Sequence, residues 1–235
     1  MYALGFLDRE KDGATVIQLP EGMLGVLNDM GFLYMTDLGA AGPDRGKGGK
    51  YLVLPPGYEG DVPEGYFVVQ SKTYNVWNFM RGYLDKGVKA ASDNIRDNLK
   101  VYPLSRAENP PAMEFISATG LEFNTIHANS FEFYEELHTV IEREPVAMLD
   151  PELRGLFASV GIEKDKPFAP DLRMKNLLIK AAEVGNATAR TLLWYERNPG
   201  DFLYEGSYWK IGFPGGNYHF LRDDGKGGRD LDGRT

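Results

Sequence analysis

The sequence predicts an α+β protein: a β-sandwich or jelly-roll-like framework of strands that carries a helical insertion. Three observations predict it. Short apolar runs punctuated by Gly/Pro turns fill residues 1–72. Stripes at three- and four-residue spacing dominate the middle, and strand character returns after residue 200. The order implies three parts. These are a β-rich part over 1–72, a helical insertion over 73–200, and a return to β framework over 201–235 that starts a next β domain.

Residues 2–7 (YALGFL) form the first apolar run. Asp12-Gly13 marks a turn, and residues 15–19 continue as a strand until Pro20-Glu21-Gly22 breaks it. Residues 31–38 (GFLYMTDL) read as another strand, followed by the glycine-rich loop GPDRGKGGK. Residues 51–54 and 66–70 make two more strands around PPGYEGDVPEG, whose prolines and glycines cannot continue a ladder.

Residues 73–84 open the insertion, with Val76, Met80 and Tyr83 on one helical face. Val88, Ala91, Ile95 and Leu99 give a second stripe. Asn129 and Glu132 have the spacing of a capping box for a helix that turns Phe133, Leu137, Val140 and Ile141 inward. Asp150-Pro151 starts a helix faced by Leu153, Leu156 and Phe157. A last helix begins near Pro170-Asp171 and buries Leu177, Leu178, Ala181 and Leu192. Two strands flanking Pro214-Gly215-Gly216 close the sequence as a hairpin.

Composition excludes several classes. The 235 residues are 43% hydrophobic, enough to bury a core. Acidic residues outnumber basic ones 34 to 26, and no basic face emerges for nucleic acid or anionic lipid. There is no cysteine, so disulfides, thiol nucleophiles and Cys-ligated metals are excluded. No apolar run is long enough for membrane insertion. Met1 is followed at once by strand-like sequence without a basic leader, and the chain stops in a turn, so a fragment of a longer protein is expected.

Chemical motifs are sparse. The loop GPDRGKGGK fails as a phosphate loop, because Gly42 would require glycine where Lys47 stands, and Lys50 precedes Tyr51 rather than Ser or Thr. The tail DDGKGGRDLDG lacks the closing Glu of a calcium loop. No His pair has metal-binding spacing, no GxSxG elbow exists, and no cofactor motif is legible. His127, in FNTIHANSF, is a loop histidine placed to bind a ligand or act as a base; His138 and His219 read as structural. Glu135-Glu136 and Glu142-Glu144 read as solvated helix surface. Asp37, ending an apolar strand, is the acid expected to be partly buried.

Arg81 stands out as a cation inside an aromatic segment. It serves either an ion pair or a ligand anion. Trp77, four residues earlier, shares its face on a helix and is placed for cation–π stacking. Trp77, Arg81, Tyr74 and Tyr58 are therefore the candidate ligand-binding residues. Arg81, His127 and Asp37 are the candidate catalytic ones.

Four stretches together carry a resemblance. They are YALGFLD, TDLGAAGPDRGKGGKYLVLPPGYEGDVPEGYFVVQSKTYNVWNFMRGYL, EFNTIHANSFEFYEEL and YEGSYWKIGFPGGNYHF. In this order the sequence resembles the domain of unknown function 1254 family over nearly its whole length. The resemblance implies a jelly-roll-like framework with a helical insertion, a following 1214-type β domain, homo-oligomers, and export to the periplasm in many bacterial members. It carries no catalytic residues over.

Three functional classes follow. One is a ligand-binding or assembly module, with Trp77, Tyr74 and Tyr58 stacking on a small molecule or carbohydrate or packing a subunit interface. The second is a hydrolase of a carbohydrate or other envelope-type substrate, with Arg81, His127 and Asp37 as anion clamp, base and acid. The third is a structural subunit of an oligomer.

Overall fold

A computed structural model describes residues 1–194 apart from 123 and 125, together with 204–207 and 209. The hairpin expected around Pro214, the 223–233 loop and His219 lie outside the described residues. The chain divides into two compact units, the first holding Met1–Ser117 and the second Ala118–Phe213.

The first unit is built on eight strands: β1 (Tyr2–Asp8), β2 (Thr15–Leu19), β3 (Met23–Asp29), β4 (Tyr34–Gly39), β5 (Gly49–Leu54), β6 (Phe67–Gln70), β7 (Asn75–Gly82) and β8 (Lys100–Pro103). A one-turn helix, α1 (Arg9–Asp12), follows β1, and α2 (Val88–Asn98) precedes β8. The strands form two four-stranded sheets with orders β1-β7-β3-β4 and β6-β5-β2-β8. All pairings are antiparallel except β5 with β6, which run parallel. The 55–66 connection is therefore a crossover and not a tight hairpin.

Alternation places the core. Leu7, Met23, Leu27, Leu38, Val76 and Met80 from the first sheet meet Ile17, Leu19, Tyr51, Val53 and Val69 from the second. Ile95 and Leu99 close one end of this cluster, and Gly82 keeps β7 close beneath Ala91 and Ile95. The α+β class expected from the sequence is the class observed, a sandwich of two packed sheets with added helices.

The second sheet also has its other face covered. Val16, Leu52, Leu54 and Tyr102 point there, and Tyr58 and Tyr66 of the crossover fold over them with Leu104 and Ala107. Arg9, almost fully buried, anchors α1: its Nη2 donates to Ser71 Oγ at 3.1 Å, to the Tyr74 carbonyl at 2.9 Å and to the Thr73 carbonyl.

One expectation is overturned here. Residues 73–84 do not open a helix; Asn75–Gly82 is the second strand of the first sheet. Burial along it alternates, with Val76, Asn78, Met80 and Gly82 covered and Trp77, Phe79 and Arg81 more open. The Val76/Met80 spacing of four satisfies a strand as well as a helix. β3 and β8 were not anticipated, and the 31–38 strand begins only at Tyr34.

The second unit contains α3 (Glu132–Arg143), a 3₁₀ turn over Val146–Met148, α4 (Pro151–Ser159) and α5 (Leu172–Trp194). Asp150 caps α4 as expected, its Oδ1 accepting from the Leu153 amide at 2.8 Å. The expected Asn129/Glu132 capping box does not form: α3 starts behind Phe131 with no side-chain cap bond. Ile141, Met148 and Ile162 centre this unit's core, packed by Leu137, Val140 and Phe157. Leu153 and Leu156 face solvent, so α4 buries a narrower stripe than expected. Among the described side chains of α5 the buried ones are Leu178 and Ala182, with Leu177 and Ala181 exposed; Leu192, also expected inward, lies outside them. Among the described residues no helix is long and apolar enough to cross a membrane.

Candidate functional site

Among the described residues, the outer face of the first sheet is left open. On β1 the side chains alternate to solvent at Tyr2, Leu4 and Phe6, which are 59%, 56% and 65% exposed. Register sets each opposite a residue of β7: Tyr2 against Arg81, Leu4 against Phe79 and Phe6 against Trp77. Beyond β7 lie Leu24, Val26 and Asn28 of β3, opposite Arg81, Phe79 and Trp77.

The rings form one continuous run. Tyr2 and Phe79 are 5.3 Å apart at their centroids, Phe79 and Trp77 5.3 Å, and Trp77 and Phe32 5.2 Å. Phe32 reaches Trp77 from the β3–β4 turn with a left-handed backbone (φ 62°), a conformation unusual for a bulky residue. Polar groups fringe the run. Arg81 is exposed at one corner, and on β4 the Tyr34 hydroxyl donates to Asp37 Oδ2 at 3.1 Å.

The candidate residues fall as follows. Trp77 and Arg81 share this face, but as strand neighbours about 14 Å apart with Phe79 between them. The direct cation–π stack expected from helical spacing is therefore precluded. Tyr74 precedes β7, and its carbonyl accepts from the Arg9 backbone and side chain. Tyr58 sits half-buried over the second sheet, its hydroxyl donating to the Asp61 carbonyl at 3.1 Å.

Asp37 and Arg81 lie two strands and two residues apart by register, about 12 Å on an open face. In the second unit, exposed His127 bonds through Nδ1 to the Ala128 carbonyl at 3.0 Å and sets its ring against Phe133. Neighbouring Asn124 closes a local turn on Ile126. His138 Nε2 lies 2.8 Å from the Lys166 carbonyl, and its ring stacks on Phe168.

Two buried acids organise loops of the first unit: Asp29, whose Oδ1 accepts from the Leu33 amide at 2.9 Å in the β3–β4 turn, and Asp44, which the sequence did not single out. Asp37 is partly buried, as expected, and Asp44 is buried more deeply. Its Oδ1 accepts from the Gly39 amide at 2.8 Å and from the Tyr51 hydroxyl; its Oδ2 accepts from the Gly48 amide at 3.0 Å. Burial, reinforced by this carboxylate, holds the Tyr51 phenol far above its usual range. The glycine-rich GPDRGKGGK loop is thus wound around an internal carboxylate. Its signal was legible: an Asp after Gly-Pro, with backbone donors three to five residues away, is a turn-forming pattern. Glu144, read as helix surface, is also fully buried.

Residues 1–103 match the family model described as "Protein of unknown function (DUF1254)". The sequence matches none of the curated proteins. Among solved structures the chain is similar to the VPA0106 protein from Vibrio parahaemolyticus, with a TM-score of 0.63 and 17% identity. That alignment covers 99% of this chain and 55% of the other, so the chain spans about half the length of that solved protein. At this identity the likeness is one of fold. The part of the chain that matches the DUF1254 family of proteins of unknown function is residues 1–103, which hold both sheets.

Proposed function

We propose that this protein is an assembly module that pairs with a second copy of itself through the outer face of the first sheet. One observation carries the reading. The two sheets each have an apolar outer face, and among the described residues only the second is roofed, through Tyr58, Tyr66, Leu104 and Ala107. On the first, Tyr2, Leu4, Phe6 and Phe32 stay exposed beside Trp77 and Phe79.

The size of the face supports this. Large aromatic side chains offer 150–250 Å² each, so these residues with Leu24, Val26 and Leu33 leave on the order of 600 Å² of apolar surface uncovered. Two such faces brought together bury about 1,200 Å², the lower bound of a specific interface. An aromatic centre with Arg81, Asp37 and Tyr34 around it also has the anatomy of an interface core and rim.

The absence of cysteine supplies the experiment. Leu4→Cys introduces a single thiol in the centre of the face. Its maleimide labelling rate should fall at least tenfold as protein concentration rises, while Val68→Cys, on the exposed part of β6, labels at a constant rate. A Leu4→Cys rate that does not change with concentration contradicts the proposal.

A further inference from the structure

The second unit holds a cavity of about 330 Å³, open on one side, that no motif in the sequence announces. Its walls are the end of α3, the 3₁₀ turn after it, α4 and the turn leading to Lys164. Ile141, Met148, Phe157 and Ile162 make most of the lining apolar. The volume lies within the range of small-molecule sites and equals about ten waters at ~30 Å³ each.

Two features distinguish it from a packing defect. Gly155 lines it from within α4, and a Cβ built there meets no heavy atom within 4 Å. A helix-interior glycine costs about 1 kcal/mol relative to alanine. Here a side chain would fit without backbone clash, so the missing side chain keeps the mouth open. Next to it on α4 is Arg154, which lines the cavity, is exposed, and has no ion-pair partner among the described residues.

The other charged groups of the lining are engaged or inside. Lys164 Nζ donates to the Glu142 carbonyl, and Glu163 Oε2 accepts from Lys166 at 2.7 Å. Glu144 is buried in the wall. An anion entering head first would meet the Glu144 carboxyl group, whereas an anion held at the rim meets the Arg154 guanidinium.

We infer that this cavity binds a small amphipathic carboxylate, its apolar body against Ile141, Met148, Phe157 and Ile162 and its carboxylate on Arg154. The inference is independent of the assembly role.

Calorimetric titration of the whole chain with octanoate, octanol and octylammonium tests it. Octanoate should bind most tightly. Arg154→Gln should weaken octanoate about tenfold and leave octanol unchanged, while Gly155→Leu should abolish binding of both. Adsorption to the aromatic sheet face would survive Gly155→Leu, which leaves that face intact. Leucine is a better helix former than glycine, and circular dichroism checks that α4 persists. Should that variant unfold the unit, the octanoate–octanol split in Arg154→Gln decides alone. No binding of octanoate, equal binding of octylammonium, or equal loss of octanoate and octanol in Arg154→Gln overturns the inference.

Discussion

Phe6 of β1 stands directly opposite Trp77 of β7, on the face of the first sheet that points away from the core. Phe6 is 65% exposed, and Trp77 is only half-covered although Phe32 stacks on it. A cross-strand aromatic pair stabilises a sheet by up to about 1 kcal/mol. That does not require the outward faces of β1 and β7 both to be largely apolar, as Tyr2, Leu4 and Phe79 make them here. The pattern is better accounted for by a partner surface.

Removing the Asp44 carboxylate should be costly. Asp44→Ala leaves the Gly39 and Gly48 amides and the Tyr51 hydroxyl without their acceptor in a buried site. We expect a loss of about 3 kcal/mol in urea unfolding, since buried polar groups stripped of partners carry their desolvation penalty. Asp37→Ala, at a half-exposed position, should cost less than about 1 kcal/mol.

Tyr51 predicts an alkaline signature. Its folded pKa is raised, so the neutral phenol is favoured in the fold. The stability this contributes is complete below the unfolded value of about 10 and is lost as pH rises above it toward the folded value. Wild type should therefore lose stability above pH 10 more steeply than Tyr51→Phe, measured by urea midpoints between pH 8 and 11.5. Parallel curves would contradict this.

Gly39 ends β4 at φ 75°, and a Cβ there would lie 1.9 Å from the Met23 carbonyl oxygen. Gly39→Ala should cost about 2–4 kcal/mol, because neither the backbone angle nor the neighbouring strand can give way cheaply. Gly155→Ala should do the reverse and raise stability by about 0.5–1 kcal/mol. Thermal midpoints of the two variants check both signs.

Much of the fold was legible where one face of an element is apolar and the other polar. The stripe through Ala91, Ile95 and Leu99 and the Asp150-Pro151 start were read from that contrast. β7 was misread because the contrast is missing. Trp77 and Phe79 make its outer face as apolar as Val76 and Met80 make its inner one, while the buried Asn75 and Asn78 interrupt the alternation. β3 was missed for a related reason, with Leu24 and Val26 outside and Met23 and Leu27 inside. The strands that hid from periodicity are those that build the exposed face. Arg81 was singled out as a cation in an aromatic segment and Trp77 by its four-residue spacing from it, but Tyr2, Leu4 and Phe6 were not. Their exposure depends on β1 pairing with a strand more than sixty residues away.

In the proposed dimer the face around Phe6 and Trp77 joins two copies. Light scattering on the eluting protein, comparing wild type with Phe6→Asp across a concentration series, reads this out. A dimer through this face gives a wild-type species at twice the 26.3 kDa chain mass and a folded Phe6→Asp monomer. A wild-type protein that stays at 26.3 kDa at every concentration, or a Phe6→Asp variant that dimerises equally well, would contradict it.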